Sequence, residues 1–381
     1  MKNNAPDAEA RRKIKEQELT VSENGKTLHS CRSMTLERVV IPEGIAFIGP
    51  KAFRGFCYHL HSAWLPASIT RIAPGALGPL GTVEMAPDNP VFHQDRDGVL
   101  FGDQGRTLLW FPRGGGPEYT VPERVTRIAE EAFHGCGFLA SLTIPDSVTS
   151  IGESAFTGCR SLKNVKLPAG ITEIAFGTFE GCSALESITI PDGVTRIGTH
   201  VFFDCDNLRS IVLPDSVGDL GQQIFGWCGN LRNVKLPDGI IEIPSGMFQA
   251  CEHLESVAIP DGVAAIGWDA FAGCCSLKNI TIPDSVAQIW GDVFAGCSSL
   301  KSLTLPAGIG RIVKRTFWDC RSLEDITIPE SVTEIGEWAF LSCSNLKKVI
   351  LPPGIRTIGE DAFGRAGCED QVKRDYPHLF Q

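Results

Sequence analysis

The sequence predicts a repeat solenoid, mainly β with short helical or irregular segments, of about fourteen coils with a 23-residue period. Three observations carry this. A proline recurs at that interval from Pro122 through Pro145, Pro168, Pro191, Pro214, Pro237, Pro260, Pro283, Pro306 and Pro329 to Pro352, without insertion or deletion. The residues around it repeat in phase as L-x-x-I-x-I-P-D-G-V-x-x-I-G-x-x-A-F-x-G-C, as in Leu185-x-x-Ile188-x-Ile190-Pro191. A phenylalanine stands eleven residues after each proline, in a column from Phe133 and Phe156 to Phe340 and Phe363. One coil cannot bury its own apolar residues. Copies stacked about 4.8 Å apart, the spacing of neighbouring strands, line each apolar position into a continuous ladder.

The elements follow in order. Residues 1–35 form an N-terminal cap: a short charged helix over 7–18, then a hairpin of Leu19-Thr20-Val21 and Thr27-Leu28 around Glu23-Asn24-Gly25-Lys26. The solenoid spans 36–365, its upstream coils anchored at Pro42, Pro66, Ala86 and Pro122. In each regular coil the apolar residues before the proline make a short strand. The coil at 86–121 is irregular, with 36 residues in place of 23. Its excess, Val99-Leu100-Phe101, a Gly-Asp-Gln-Gly turn and Leu108-Leu109-Trp110-Phe111, predicts a hairpin projecting from the solenoid. Residues 366–381 are a C-terminal cap with a brief helix over 369–376. A solenoid grows in one dimension, so the whole is kept as one domain despite its 381 residues.

The repeat resembles the BspA-type, or Treponema-type, leucine-rich repeat, a mainly bacterial family. L-x-x-I-x-I-P followed by V-x-x-I-G-x-x-A-F-x-G-C carries the likeness over residues 36–365. The Asp88-Asn89-Pro90-Val91-Phe92 and Asp97-Gly98-Val99-Leu100-Phe101 segments are similar to its longer repeat variant. The resemblance implies a leucine-rich-repeat horseshoe. It also implies a role among cell-surface adhesins and protein-binding modules.

Composition excludes several function classes. The chain is 43% hydrophobic and 21% charged, with 45 acidic against 35 basic residues and a net charge of −10. A nucleic-acid binder needs a basic stripe to meet phosphates, which this balance opposes. No run of about 20 apolar residues occurs, so no membrane-spanning helix is expected. The opening residues, with Arg11-Arg12-Lys13 and no apolar stretch, lack a secretory signal. The expectation is a cytoplasmic protein, or a surface or secreted one if an export signal preceded this chain.

Of the 14 cysteines, those on the period (Cys136, Cys159, Cys182, Cys205, Cys228, Cys251, Cys274, Cys297, Cys320 and Cys343) form a column with no histidine in phase. Metal sites instead use short C-x-x-C pairs converging on one point. These thiols are expected to be small apolar core fillers, reduced, with neighbours close enough to approach disulfide distance. No metal or other cofactor is expected. The eight histidines show no metal spacing, and no nucleophile elbow, Walker loop or dinucleotide fingerprint is present, so no catalytic residue is assigned. Asp95-Arg96-Asp97-Gly98 shares only the start of a calcium loop and is expected to be a polar turn. The Pro-Asp-Gly and Pro-Asp-Ser steps are turn chemistry.

Binding should therefore lie where coils differ at exposed positions. One surface is the strand face, with Thr143, Lys166, Thr189, Val212, Lys235, Ala258, Thr281, Thr304, Thr327 and Ile350 pointing away from the core. Three residues earlier stand Arg209, Arg232, Lys278, Lys301 and Lys347 among Glu186, Glu255 and Glu324. This face either binds or is merely solvated, its threonines chosen for strand propensity. The second surface is the turn after the Ile-Gly step, where Trp268, Trp290 and Trp338 recur with Phe176 further up and Lys314 and Arg315 between. Tryptophan and arginine are the residue types most enriched at binding hot spots. Alternatively, each indole covers its own coil where glycine is missing, as at Trp290 and Val313. The function expected is a non-enzymatic scaffold for a protein partner, with no nucleic acid or small-molecule ligand. The alternative, from the resemblance, is a bacterial surface adhesin.

Overall fold

The structure is a computed structural model that describes residues 8–50, 52–53, 59–78 and 80–379. It is a β-solenoid whose regular coils mostly carry two short strands where the pattern predicts one. The expected strand precedes the proline, as Ser141–Thr143, Ser187–Thr189 and Ser302–Thr304 do, each buried at its middle residue and exposed at its ends. A second strand holds the isoleucine six residues after the proline and the residue before it, as in Ser150–Ile151, Arg196–Ile197 and Glu334–Ile335. Two residues are too few to show alternation in a sequence. Among the described residues no helix is long and apolar enough to cross a membrane.

Two compact units are formed, Met1–Ile171 with Gly177–Cys182, and Thr172–Phe176 with Ser183–Gln381. In the first, helix α1 (Ala8–Glu16) leads into the expected hairpin, Leu19–Val21 antiparallel to Thr27–Cys31. Asp7, the first residue of the expected helix, lies outside the described residues. The hairpin also begins the second-strand ladder, because Thr27–Cys31 pairs in parallel with Phe47–Ile48 and that strand with Arg71–Ile72. Arg38–Val40, Ser62–Leu65 and Thr82–Met85 form a parallel first-strand ladder. Glu118–Thr120, Ser141–Thr143 and Asn164–Lys166 form another.

Between these ladders lies the irregular coil, and here the structure corrects the sequence. Leu100–Gly102 and Thr107–Trp110 do pair as a hairpin, but it does not project. Val99, Leu100, Phe101 and Leu108 are 0% exposed, Trp110 2% and Phe111 3%. Burying each such side chain gains about 1.5–3 kcal/mol, which a projecting hairpin would forgo. Thr107–Trp110 takes the place of a regular second strand, parallel to Arg127–Ile128, while Leu100–Gly102 and His93–Gln94 add on antiparallel. Phe111 stacks on Phe133 at 5.0 Å, extending the phenylalanine column one coil upstream. The Asp95 segment is the turn expected of it, Oδ1 accepting the Asp97 and Val99 N–H groups at 3.0 Å.

The second unit is the more regular. Phe202, Phe225, Phe248, Phe271, Phe294, Phe317 and Phe340 are all 0% exposed and stack at 5.2–5.8 Å with interplanar angles of 4–18°. The cysteines do more than fill space. Thiols of the column donate to the phenylalanine carbonyl of the preceding coil: Cys228 to Phe202 at 3.0 Å, Cys251 to Phe225 at 3.1 Å, Cys297 to Phe271 at 3.2 Å, and Cys343 to Phe317 at 3.1 Å. Each of these carbonyls also accepts the N–H of the cysteine three residues on in its own coil, as Phe225 does from Cys228 at 3.2 Å, so the thiol fills the second acceptor site of a carbonyl as well as packing. All described cysteines are free. Burial raises the thiols' pKa, to about 12 at Cys182 in the first unit and at Cys343 in the second.

In the coils that carry glycine at the position after the isoleucine or leucine, the backbone of the preceding coil approaches closely. A Cβ on Gly221 would lie 2.2 Å from the Thr199 nitrogen, and one on Gly359 2.4 Å from the Glu337 nitrogen. The corner thirteen residues after the proline is left-handed in every coil of this unit, held by glycine at Gly273 (φ 76°) but by Trp227 at φ 62° and Ala250 at φ 57°.

Ladder ends are closed by glutamine side chains. At the start of the first ladder, Gln17 accepts the Val40 N–H at 2.7 Å and donates to the Val40 carbonyl at 2.9 Å. At its end, Gln94 accepts the Met85 N–H at 2.9 Å and donates to the Val83 carbonyl at 2.6 Å. In the second unit, helix α2 (Glu369–Asp375) supplies Gln371, which accepts the Val349 N–H at 3.0 Å and donates to its carbonyl at 3.1 Å. A primary amide presents one donor and one acceptor much as a neighbouring strand would, which blunts an exposed sheet edge.

Candidate functional site

The strand-face residues point outward as the alternation requires. Thr143 and Lys166 in the first unit, and Thr189, Val212, Lys235, Ala258, Thr281, Thr304, Thr327 and Ile350 in the second, are all exposed. Val212 and Ile350 are large apolar side chains with 61% and 69% exposure. Lys235 Nζ pairs with Asp215 at 3.3 Å beside Val212, in a shallow groove lined also by Thr189 and Pro214. On the neighbouring column Glu255 bridges two coils, accepting from Lys278 at 2.8 Å and facing Arg232 at 3.7 Å. These pairs are solvent-exposed and contribute little to stability. They fix the charge pattern that a partner would meet.

The turn flank of the second unit is more strongly organised. Trp268, 47% exposed, stacks on half-buried Trp290 with centroids 5.9 Å apart and 26° between planes. Its ring lies across the next coil, where a Cβ on Gly291 would come within 2.1 Å of it. Trp268 therefore lies over the neighbouring coil. Trp338 takes a left-handed corner at φ 56° and carries two cations over its ring, Lys314 Nζ at 4.5 Å and the Arg315 guanidinium at 4.7 Å. Arg315 also lies 5.9 Å from the Trp318 ring, so that indole borders the patch.

Acidic residues that the sequence reading did not single out tie these groups together. Lys314 Nζ pairs with Glu337 at 2.7 Å, and Arg315 reaches back to Asp292 at 3.8 Å. Asp269, in phase with Asp292 one coil earlier, makes no ion pair among the described residues. Burial pushes both carboxyls above the ordinary range, and the Asp292 charge adds to this at Asp269, while Arg315 pulls both the other way. Their signal was present in the sequence, since Asp269, Asp292 and Arg315 occupy one column a period apart. Charge sign along a column decides pairing between coils, which residue type alone does not show.

The flank thus holds two groups, Trp268 with Trp290, and Trp338 with Lys314, Arg315 and Trp318, joined through Asp292. Phe176 belongs to neither. It is 42% exposed and packs on His200 at 5.6 Å, four coils from Trp268, or about 19 Å at one strand spacing per coil. Trp227, 57% exposed, occupies a different corner and joins no aromatic cluster among the described residues. Lys166 lies in the first unit and is exposed there.

Comparison with known proteins places this scaffold. The sequence profile described as the BspA-type leucine-rich repeat region matches in six copies, over residues 13–78, 117–228, 174–292 and 265–371. The stretch it leaves out contains most of the irregular coil. A leucine-rich repeat protein from Bacteroides ovatus is similar in structure, with a TM-score of 0.59 and 26% identity over 94% of this chain and 95% of its own. A leucine-rich cell surface protein from Faecalibacterium prausnitzii gives a TM-score of 0.53 at 26% identity, covering 90% of this chain and 92% of its own. No curated protein matches this chain. The repeat, its stacked phenylalanine and cysteine columns and the matched profile together establish that this chain belongs to the BspA-type leucine-rich repeat family.

Proposed function

We propose that this protein is a non-enzymatic scaffold that binds a protein partner through the tryptophan flank of its second unit and the adjoining strand face. One observation carries the reading: the repeated phenylalanine and cysteine columns are buried, whereas the variable flank positions keep Trp268 and Trp318 at 47% and 42% exposure. Large aromatic side chains left in water beside fixed charges are typical of binding hot spots. The test is affinity capture with wild type and a Trp268→Ala, Trp290→Ala, Trp338→Ala variant matched for thermal stability. A partner recovered by wild type and lost by the variant supports the flank. Equal recovery with both removes the tryptophans from the reading and leaves the strand face, to be tested with Val212→Asp and Lys235→Glu.

A second reading, a bacterial surface adhesin, is favoured by the Faecalibacterium protein, which is described as a cell surface protein. Cytoplasmic placement rests on the opening residues alone. Protease treatment of intact source cells followed by immunoblotting separates the two: loss of the band places the protein outside, and survival until lysis places it inside.

A further inference from the structure

The two tryptophan groups of the flank differ in one respect. Trp338 has cations of this chain over its ring, Lys314 and Arg315, and each is neutralised by its own carboxylate, Glu337 and Asp292. Trp268 and Trp290 form an equally ordered pair, with Trp268 47% exposed, yet no cation of the described chain lies over either ring. Beside them Asp269 has no ion-pair partner among the described residues. It is held on the same flank by the left-handed corner at φ 54° and by its N–H bond to the Gly291 carbonyl at 3.1 Å. One half of the flank is therefore an indole, Trp338, with its cations and their counter-charges in place, and the other is an aromatic pair with only the counter-charge.

We propose that the Trp268, Trp290 and Asp269 cluster is a subsite for a lysine or arginine side chain of the partner protein. The cation would lie over exposed indole surface with the Asp269 carboxylate as counter-ion. Three facts support this occupant over an uncharged one. The indole faces attract cations through their quadrupole. The local charge is unbalanced toward negative once Arg315 is assigned to Asp292. The same flank already shows the arrangement, built internally, at Trp338. Asp269 lies close enough to Asp292 for their repulsion to disfavour two ionised carboxylates, so an incoming cation would relieve it.

The proposal rests on the flank being the binding surface, and its test distinguishes the two. The probes are Nα-acetyl-lysine amide and its uncharged counterpart, Nα-acetyl-norleucine amide, each titrated into protein with nitrogen-15-labelled tryptophans while the indole N–H resonances are followed. The lysine probe should shift Trp268 and Trp290 and leave Trp338 unmoved, with the norleucine probe without effect. Asp269→Asn should weaken lysine binding about threefold, the scale of one exposed charge contact. Asparagine tolerates the left-handed corner, so this variant keeps the fold. Trp268→Ala should abolish the shift. Equal response to both probes, or a lysine response unchanged by Asp269→Asn, overturns the cation subsite. If the lysine probe fails while the triple tryptophan variant still loses a captured partner, the flank binds by another chemistry. If the probe docks but capture is unaffected, the flank reading falls and the subsite stands.

Discussion

From Pro191 to Pro352 two buried columns are each filled by one kind of residue, phenylalanine on phenylalanine and cysteine on cysteine, coil after coil. Residues 86–121 fill comparable positions from a hairpin, with Phe111 on the phenylalanine column, Thr107–Trp110 in place of a second strand, and no cysteine at all. The phenylalanine column and the parallel second strand persist in both; the thiol-to-carbonyl bond persists only in a longer form, Cys136 to the Phe111 carbonyl at 3.8 Å. What the scaffold demands is thus a stacked aromatic core and a paired backbone, and the 23-residue spelling is one way to supply them.

The sharpest difference to exploit is the thiol column. Its members titrate higher in the fold than in the unfolded chain, so their stabilisation is complete below the unfolded thiol pKa near 8.5. It is lost as pH rises toward about 12, the value at Cys182 and Cys343. Each such thiol removes about 1.4 kcal/mol per pH unit in that window. Hydrogen exchange at rising alkaline pH should show the Pro191 to Pro352 coils losing protection before residues 86–121. Simultaneous loss would mean the thiols are not the weak point.

Phenylalanine truncation asks whether the hairpin is an equal rung. Phe271→Ala and Phe111→Ala should each cost about 3–5 kcal/mol, measured by urea unfolding. A Phe111 cost below about 1 kcal/mol would return the hairpin to the periphery, since such a value belongs to sites that collapse or were never tightly packed.

Backbone contact between regular coils is next in size. Gly221→Ala places a methyl against the Thr199 backbone and should destabilise by about 1–3 kcal/mol. Gly218→Ala meets nothing within 4 Å and should fall within about 0.5 kcal/mol of wild type.

The glutamine contacts give the smallest effects and compare an internal ladder end with a terminal one. Gln94→Ala and Gln371→Ala should each cost about 1 kcal/mol. Only the second is expected to promote self-association, read by light scattering, because it uncovers the backbone N–H and carbonyl of Val349 in the last coil. Association of the Gln94 variant alone would reverse that assignment.

The repeat and its buried columns were legible because identical residues a fixed distance apart can only be satisfied by stacking, and both caps could be read from charge and turn residues. The second strand was not, being two residues long with one inward side chain. The hairpin was correctly found and wrongly placed: its apolar residues showed that it forms, but only the burial of Leu100 and Trp110 shows what they pack on. At the flank, residue type picked out Trp268, Trp290, Trp338, Lys314 and Arg315. Asp292 and Glu337 emerge only when neighbouring coils are set side by side. Phe176 shares a slot with the tryptophans but stands four coils away, a distance that phase within the repeat cannot express.

The thiol-to-carbonyl bonds also give the molecule a direction in time. Each coil supplies the hydrogen for an oxygen belonging to the coil made before it, as Cys251 does for Phe225. On the ribosome the older coil's carbonyl, already accepting the N–H of its own coil's Cys228 at 3.2 Å, therefore gains its second donor only when its successor emerges. Each newly synthesised segment completes the one that preceded it, and the nascent chain is drawn into order from its amino end outward.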